Sequence, residues 1–160
     1  MENLWPADIT VTGKKAPVTI LREQASMLGE KTQNIVIGKV QELPYLEPII
    51  SQSGLILPRV VKGISEPLEE IIFYYGFYII APALGNYRYK LLTILYNVDF
   101  YPITIRVDED VKNEISPSVD VDPKIIANSE EEFSELLKKI FHSQKTKKII
   151  SAILSQSVTA

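Results

Sequence analysis

Between Ile71 and Val107 the chain alternates apolar and polar side chains through three consecutive runs, and this period of two constrains the fold more than any other feature. Ile71, Phe73, Tyr75, Phe77 and Ile79 share one parity in the first run; Tyr87, Tyr89, Leu91, Thr93 and Leu95 do so in the second; Tyr101, Ile103, Ile105 and Val107 in the third. Successive side chains of a strand point to opposite faces, so each run predicts a strand that buries one row. The intervening Pro82-Ala83-Leu84-Gly85-Asn86 and Asn97-Val98-Asp99-Phe100 have hairpin length, too short for a parallel crossover. The spacing therefore predicts an antiparallel meander. The other row of the first run, with Tyr74, Tyr78 and Ile80, is also aromatic or apolar, so this strand needs cover on both faces.

Helical periods flank the meander. From about Pro17 to Thr32 the residues Ile20, Leu21, Gln24, Ala25, Met27, Leu28 and Lys31 fall on one side, and Pro17 suits a first helical turn, where its missing amide hydrogen is not needed. Ser129 and Glu132 form a capping box ahead of Phe133, Leu136, Leu137, Ile140 and Phe141, and Ser143 is placed to cap a last helix with Ile149, Ile150, Ile153 and Leu154 on its buried face. The β-branched run Asn34 to Val40 is a strand candidate in which Gly38 signals a bulge or a close backbone approach. Pro44, Pro48, Pro58 and Pro67 leave room for one short strand around Leu55 to Val61, which Pro58 confines to an edge. Residues 1 to 16 read as an extended arm, and the acidic stretch from Asp108 to Asn128, with Pro117 and Pro123, as an exposed loop open to motion. The expectation is one α+β domain: a mainly antiparallel sheet of four or five strands centred on the meander, an N-terminal helix and two C-terminal helices.

Composition narrows the chemistry. The absence of cysteine and the single histidine, His142, exclude disulfides, thiolate zinc sites and multi-histidine metal centres. None of the seven glycines builds a phosphate-binding loop or a dinucleotide fingerprint, so no cofactor is expected. No apolar run approaches the roughly 20 residues that span a bilayer, and the N-terminus lacks the basic-then-apolar pattern of a secretory signal, so the expected compartment is the cytosol, with no membrane partner. A net charge of −3 argues against a broad attraction to nucleic acid. Charge is unevenly distributed: acids dominate from Asp108 to Glu135, whereas beyond Leu136 the charged residues are all lysines, Lys138, Lys139, Lys145, Lys147 and Lys148.

Three groups of residues are candidates for function. The first is acidic: Asp99 at one strand end, then Asp108, Glu109, Asp110 and Lys112, with Asp120, Asp122 and Lys124 beyond. Carboxylates converging from strand ends can hold Mg²⁺ beside a phosphate, and a neighbouring lysine can stabilise the charge developing on it. A helix, strands and the acid-x-lysine Asp110-Val111-Lys112 loosely resemble the arrangement in nucleases of the PD-(D/E)xK superfamily; Asp99 lacks the preceding proline, and Asp110 follows its strand instead of lying within it. That resemblance implies a metal-dependent nuclease or phosphodiesterase using Asp99, Asp110 and Lys112. The second group is Lys145, Lys147 and Lys148, a route to phosphate contacts whose plainer role is to solubilise a helix. The third is the aromatic sheet surface of Tyr74, Tyr78 and Tyr96, a residue type used for packing, for protein interfaces and for stacking on bases.

The apolar inventory favours the third group. Three helices and one small sheet each carry an apolar stripe, and a leftover patch is the expected result. The sequence thus predicts a non-enzymatic protein-interaction module, such as an inhibitor, an immunity-like or antitoxin-like protein or an assembly subunit. Its partner would be another protein or a second copy of this chain, met through Tyr74, Tyr78, Ile150 and Leu154.

Overall fold

The computed structural model describes residues 1–44, 46–50, 56–60, 72–116 and 124–159. Ile71, Asp120 and Asp122 lie outside them. Along the chain the described elements are α1 (Pro17–Lys31), β1 (Ile37–Glu42), β2 (Leu46–Ile50), β3 (Ile56–Val60), β4 (Ile72–Ala81), β5 (Tyr87–Asn97), β6 (Ile103–Val107), α2 (Glu109–Ile115), β7 (Lys124–Ala127), α3 (Glu130–Phe141) and α4 (Gln144–Val158). The fold is α+β. A five-stranded sheet runs in the order β1-β4-β5-β6-β7, every neighbour antiparallel, with the meander at its centre. β2 and β3 pair as a separate two-stranded ribbon, and among the described residues both are edge strands, the position that suits Pro48 and Pro58.

One face of the sheet carries the core. Phe77, Ile79 and Ala81 of β4, Leu92, Ile94 and Tyr96 of β5, and Ile103, Ile105 and Val107 of β6 are buried in one cluster with Leu21 of α1, Phe133, Leu137 and Ile140 of α3, and Ile153 of α4. Tyr96 is at the centre of an aromatic group, its ring centroid 5.4 Å from Phe73 and 6.2 Å from both Tyr75 and Phe100. Loss of hydration there pushes the Tyr96 phenol up to about 12.

β5 departs from the simple period. The β4–β5 register pairs Phe77 with Leu92 but Tyr78 with Lys90, so Leu91 is an extra residue in the ladder, a β-bulge. One inserted residue exchanges the faces. Beyond Leu91 the core row of β5 is Leu92, Ile94 and Tyr96, while Thr93 and Leu95 turn to the opposite face. Tyr96, expected on the second surface, is therefore in the core and only 3% exposed.

Three local devices shape the helices of the core face. At Gly38 of β1 an added Cβ would be 2.7 Å from Ala25 Cα, so glycine permits the contact between α1 and the sheet edge. Ser129 accepts from the Glu132 amide at 3.2 Å, and the Glu132 carboxylate accepts from the amide of Asn128, one residue earlier than an ideal capping box, at 2.7 Å. Ser143 caps α4 by accepting from the Thr146 amide at 3.3 Å, and it donates to the Thr146 hydroxyl at 2.8 Å.

The stretch expected as a loop from Asp108 to Asn128 contains two elements. Asp108 caps α2 by accepting from the Asp110 amide at 2.8 Å, and Glu109 and Asp110 suit the positive end of a helix. Val111 then buries itself in the core and is 1% exposed. β7 adds to the sheet beside β6. Residues 1–15, by contrast, form no helix or strand and are exposed throughout.

Candidate functional site

Asp99 and Asp110 do not converge. Asp99 is in the turn after β5, where its amide donates to the Asn97 side chain at 2.9 Å, whereas Asp110 follows the far end of β6. The five residues of β6 separate them by roughly 15 Å at about 3.3 Å per residue. Lys112 is a buried residue of α2, 4% exposed. The metal clamp expected from Asp99, Asp110 and Lys112 is thus not formed, because the two acids flank opposite ends of a hairpin. Among the described residues no group of three His, Cys, Asp or Glu side chains could hold a metal ion.

Asp110 instead joins a clasp between α2 and α4. Lys145 Nζ donates to Asp108 Oδ2 at 2.7 Å and to Asp110 Oδ2 at 3.1 Å, and the Glu114 carboxylate accepts from the Gln144 amide at 2.8 and 3.0 Å. The hydrogen bond from Lys145 holds the Asp108 carboxyl below its usual range, and the two carboxylates raise the Lys145 ammonium. The expected lysine patch is divided accordingly: Lys145 is committed to this clasp, while Lys147 and Lys148 are exposed on α4.

The four residues expected at an interface occupy two different places, each half-buried. Ile150 and Leu154 line an open groove of about 470 Å³ between α1 and α4, floored by Phe77, Ile79 and Leu91. Met27 and Leu28 form its other wall, and Met27 is 53% exposed. Phe141, packed 5.7 Å from Phe77, and His142 close one end and divide it from a smaller recess between α1 and α3. Thr32 tightens the exit from α1 beside the groove by donating to the Val36 carbonyl at 2.6 Å.

Tyr74 and Tyr78 are on the sheet face opposite the core. Tyr78 lies over Gly76, where an added Cβ would be 2.9 Å from its Cε2, and the Arg88 guanidinium stacks 3.9 Å from the centre of the Tyr78 ring. Arg88 also donates to the Gln41 side chain. No signal in the sequence paired Arg88 with Tyr78, because the partnership depends on strand register. Tyr74, Lys90, Thr93 and Arg106 wall a recess of about 360 Å³ at the bulge, with Asp108 at its rim.

No known protein family, no curated protein and no solved structure matches the chain. Among the described residues no helix is long and apolar enough to cross a membrane.

Proposed function

We propose that the protein is a non-enzymatic interaction module that assembles with a second copy of itself, the N-terminal arm of one copy filling the groove between α1 and α4 of the other. The observation that carries this reading is the coexistence of an apolar groove with an apolar arm in one chain. Leu4, Trp5, Ile9 and Val11 are 85%, 77%, 63% and 94% exposed, while Ile150 and Leu154 are half-covered and Met27 faces solvent. Burying each such side chain contributes about 1.5–3 kcal/mol, enough for several to offset the cost of association.

Reach supports an exchange between copies. The arm enters α1 at Pro17, and the groove begins at Gln24, part-way along the same helix. An extended segment of this length spans roughly 50 Å at about 3.3 Å per residue, so the arm can reach a groove on a neighbour. Reciprocal exchange makes a closed two-fold assembly in which both liabilities are satisfied twice.

Light scattering of the full chain tests this. The expected result is a dimer at micromolar concentration that Trp5→Asp and, separately, Leu154→Asp convert to a monomer. Trp5 is the only tryptophan, so its emission should shift to the blue as concentration drives association. A full chain that stays monomeric with concentration-independent emission, or an oligomer indifferent to both substitutions, overturns the proposal.

A further inference from the structure

The strand rows on the second face of the five-stranded sheet carry five cations and, among the described residues, no carboxylate, with Asp108 at the rim. Strand register arranges it as a grid. Ile37, Ile80 and Arg88 form one cross-strand row; Lys39, Tyr78 and Lys90 form the next; Gln41, Gly76, Thr93, Arg106 and Lys124 extend across all five strands; and Tyr74, Leu95, Thr104 and Ile126 follow. Five of these are basic and none is acidic. Lys39, Arg88, Lys90, Arg106 and Lys124 are all exposed, and Lys39, Lys90 and Lys124 make no ion pair among the described residues. A chain of net charge −3 thus carries a locally basic set of strand residues, while seven of its twenty acids are on α2 and α3.

We infer that this face binds single-stranded nucleic acid, with Lys39, Lys90 and Lys124 on the phosphates and the Arg88–Tyr78 stack offering a platform to a base. The charge pattern suits a polyanion. Neighbouring strands are about 4.8 Å apart, which puts Lys39 and Lys90 roughly 10 Å apart on either side of Tyr78. A base stacked on the guanidinium between them would have phosphates within reach of both lysines, the combination of planar platform and flanking cations that single strands use. An acidic polypeptide would meet the same charges, but only in a nucleic acid does every anionic unit carry a planar ring for the Arg88 plane, so the stack favours nucleic acid. This face is opposite the groove, and the inference does not depend on the self-assembly proposed above.

Fluorescence anisotropy of the full chain with a labelled twelve-nucleotide oligouridine tests the inference. Lys39→Gln with Lys90→Gln should weaken binding at least tenfold at 0.1 M salt and reduce the slope of log K against log salt by about 1.4, two phosphate contacts at about 0.7 each. Arg88→Lys keeps the charge and removes the plane; it should weaken binding several-fold with little change in slope. Lys147→Gln with Lys148→Gln and, separately, Leu154→Asp should leave affinity unchanged. The inference is overturned if the wild type does not bind at low salt, if the Lys147/Lys148 pair carries the affinity, or if polyglutamate competes as well as unlabelled oligouridine and Arg88→Lys has no effect. The last result would reassign the face to an acidic protein.

Discussion

The two faces of the central sheet use the same strands for opposite purposes. On one, Phe77, Ile79, Ile94 and Ile105 meet four helices and disappear from solvent; on the other, Tyr78, Arg88 and Lys90 share the surface with half-covered aliphatic residues. The difference shows on which face the stability of this fold is concentrated. Removal of apolar area from water is concentrated on the helix-covered face, so substitutions there act on folding, whereas the exposed Lys39, Lys90 and Lys124 on the far face contribute little to it.

That contrast can be broken most severely at Phe133, which is fully buried between α3 and the sheet. Phe133→Ala should lower unfolding free energy by about 3–5 kcal/mol through lost burial and the cavity left behind, measured by urea denaturation. Next in size is Gly38→Val. Its Cβ would press on Ala25, so a loss of about 1–3 kcal/mol is expected from overpacking, partly restored by Ala25→Gly in a double-mutant cycle. A loss of less than a few tenths would show that α1 is not held tightly against β1. Ser143→Ala removes the cap of α4 and should cost about 1 kcal/mol in the same assay.

The clasp of α2 to α4 sharpens the comparison through pH. Because the Asp108 carboxyl is held below its ordinary range, the stability it contributes is complete above the unfolded carboxylate value of about 3.9 and is lost as pH falls through the lower folded value. Lys145 is shifted upward, so its contribution is complete below the ordinary lysine value of about 10.4 and is lost only as pH rises beyond it. The difference in urea midpoint between wild type and Asp108→Asn should therefore be flat from about pH 5 to 9 and shrink toward acid. A difference that peaks near neutrality would implicate another group. The smallest effect belongs to the far face: Lys39→Gln and Lys90→Gln should each change stability by less than about 0.5 kcal/mol.

Local patterning was enough to predict much of this architecture. A period of two over residues 71 to 107 and the caps at Ser129 and Ser143 are properties of neighbouring residues, and the meander and both C-terminal helices form where those signals fall. Pro17 likewise opens α1, and the close approach expected at Gly38 is the contact with Ala25. Short elements carry too weak a sequence signal to be predicted: α2 is seven residues and β7 four, both within an acidic stretch patterned like a loop. Tertiary structure decided the rest, since it depends on register and on distance along the chain. The bulge at Leu91 moved Tyr96 into the core and Thr93 and Leu95 out of it, a change of face that no count of alternating residues contains. Only folding separated Asp99 from Asp110 by the length of β6 and drew Lys145 onto Asp108 across 37 positions. The stack of Arg88 on Tyr78 has the same origin, because which side chains meet across a sheet is set by how the strands pair.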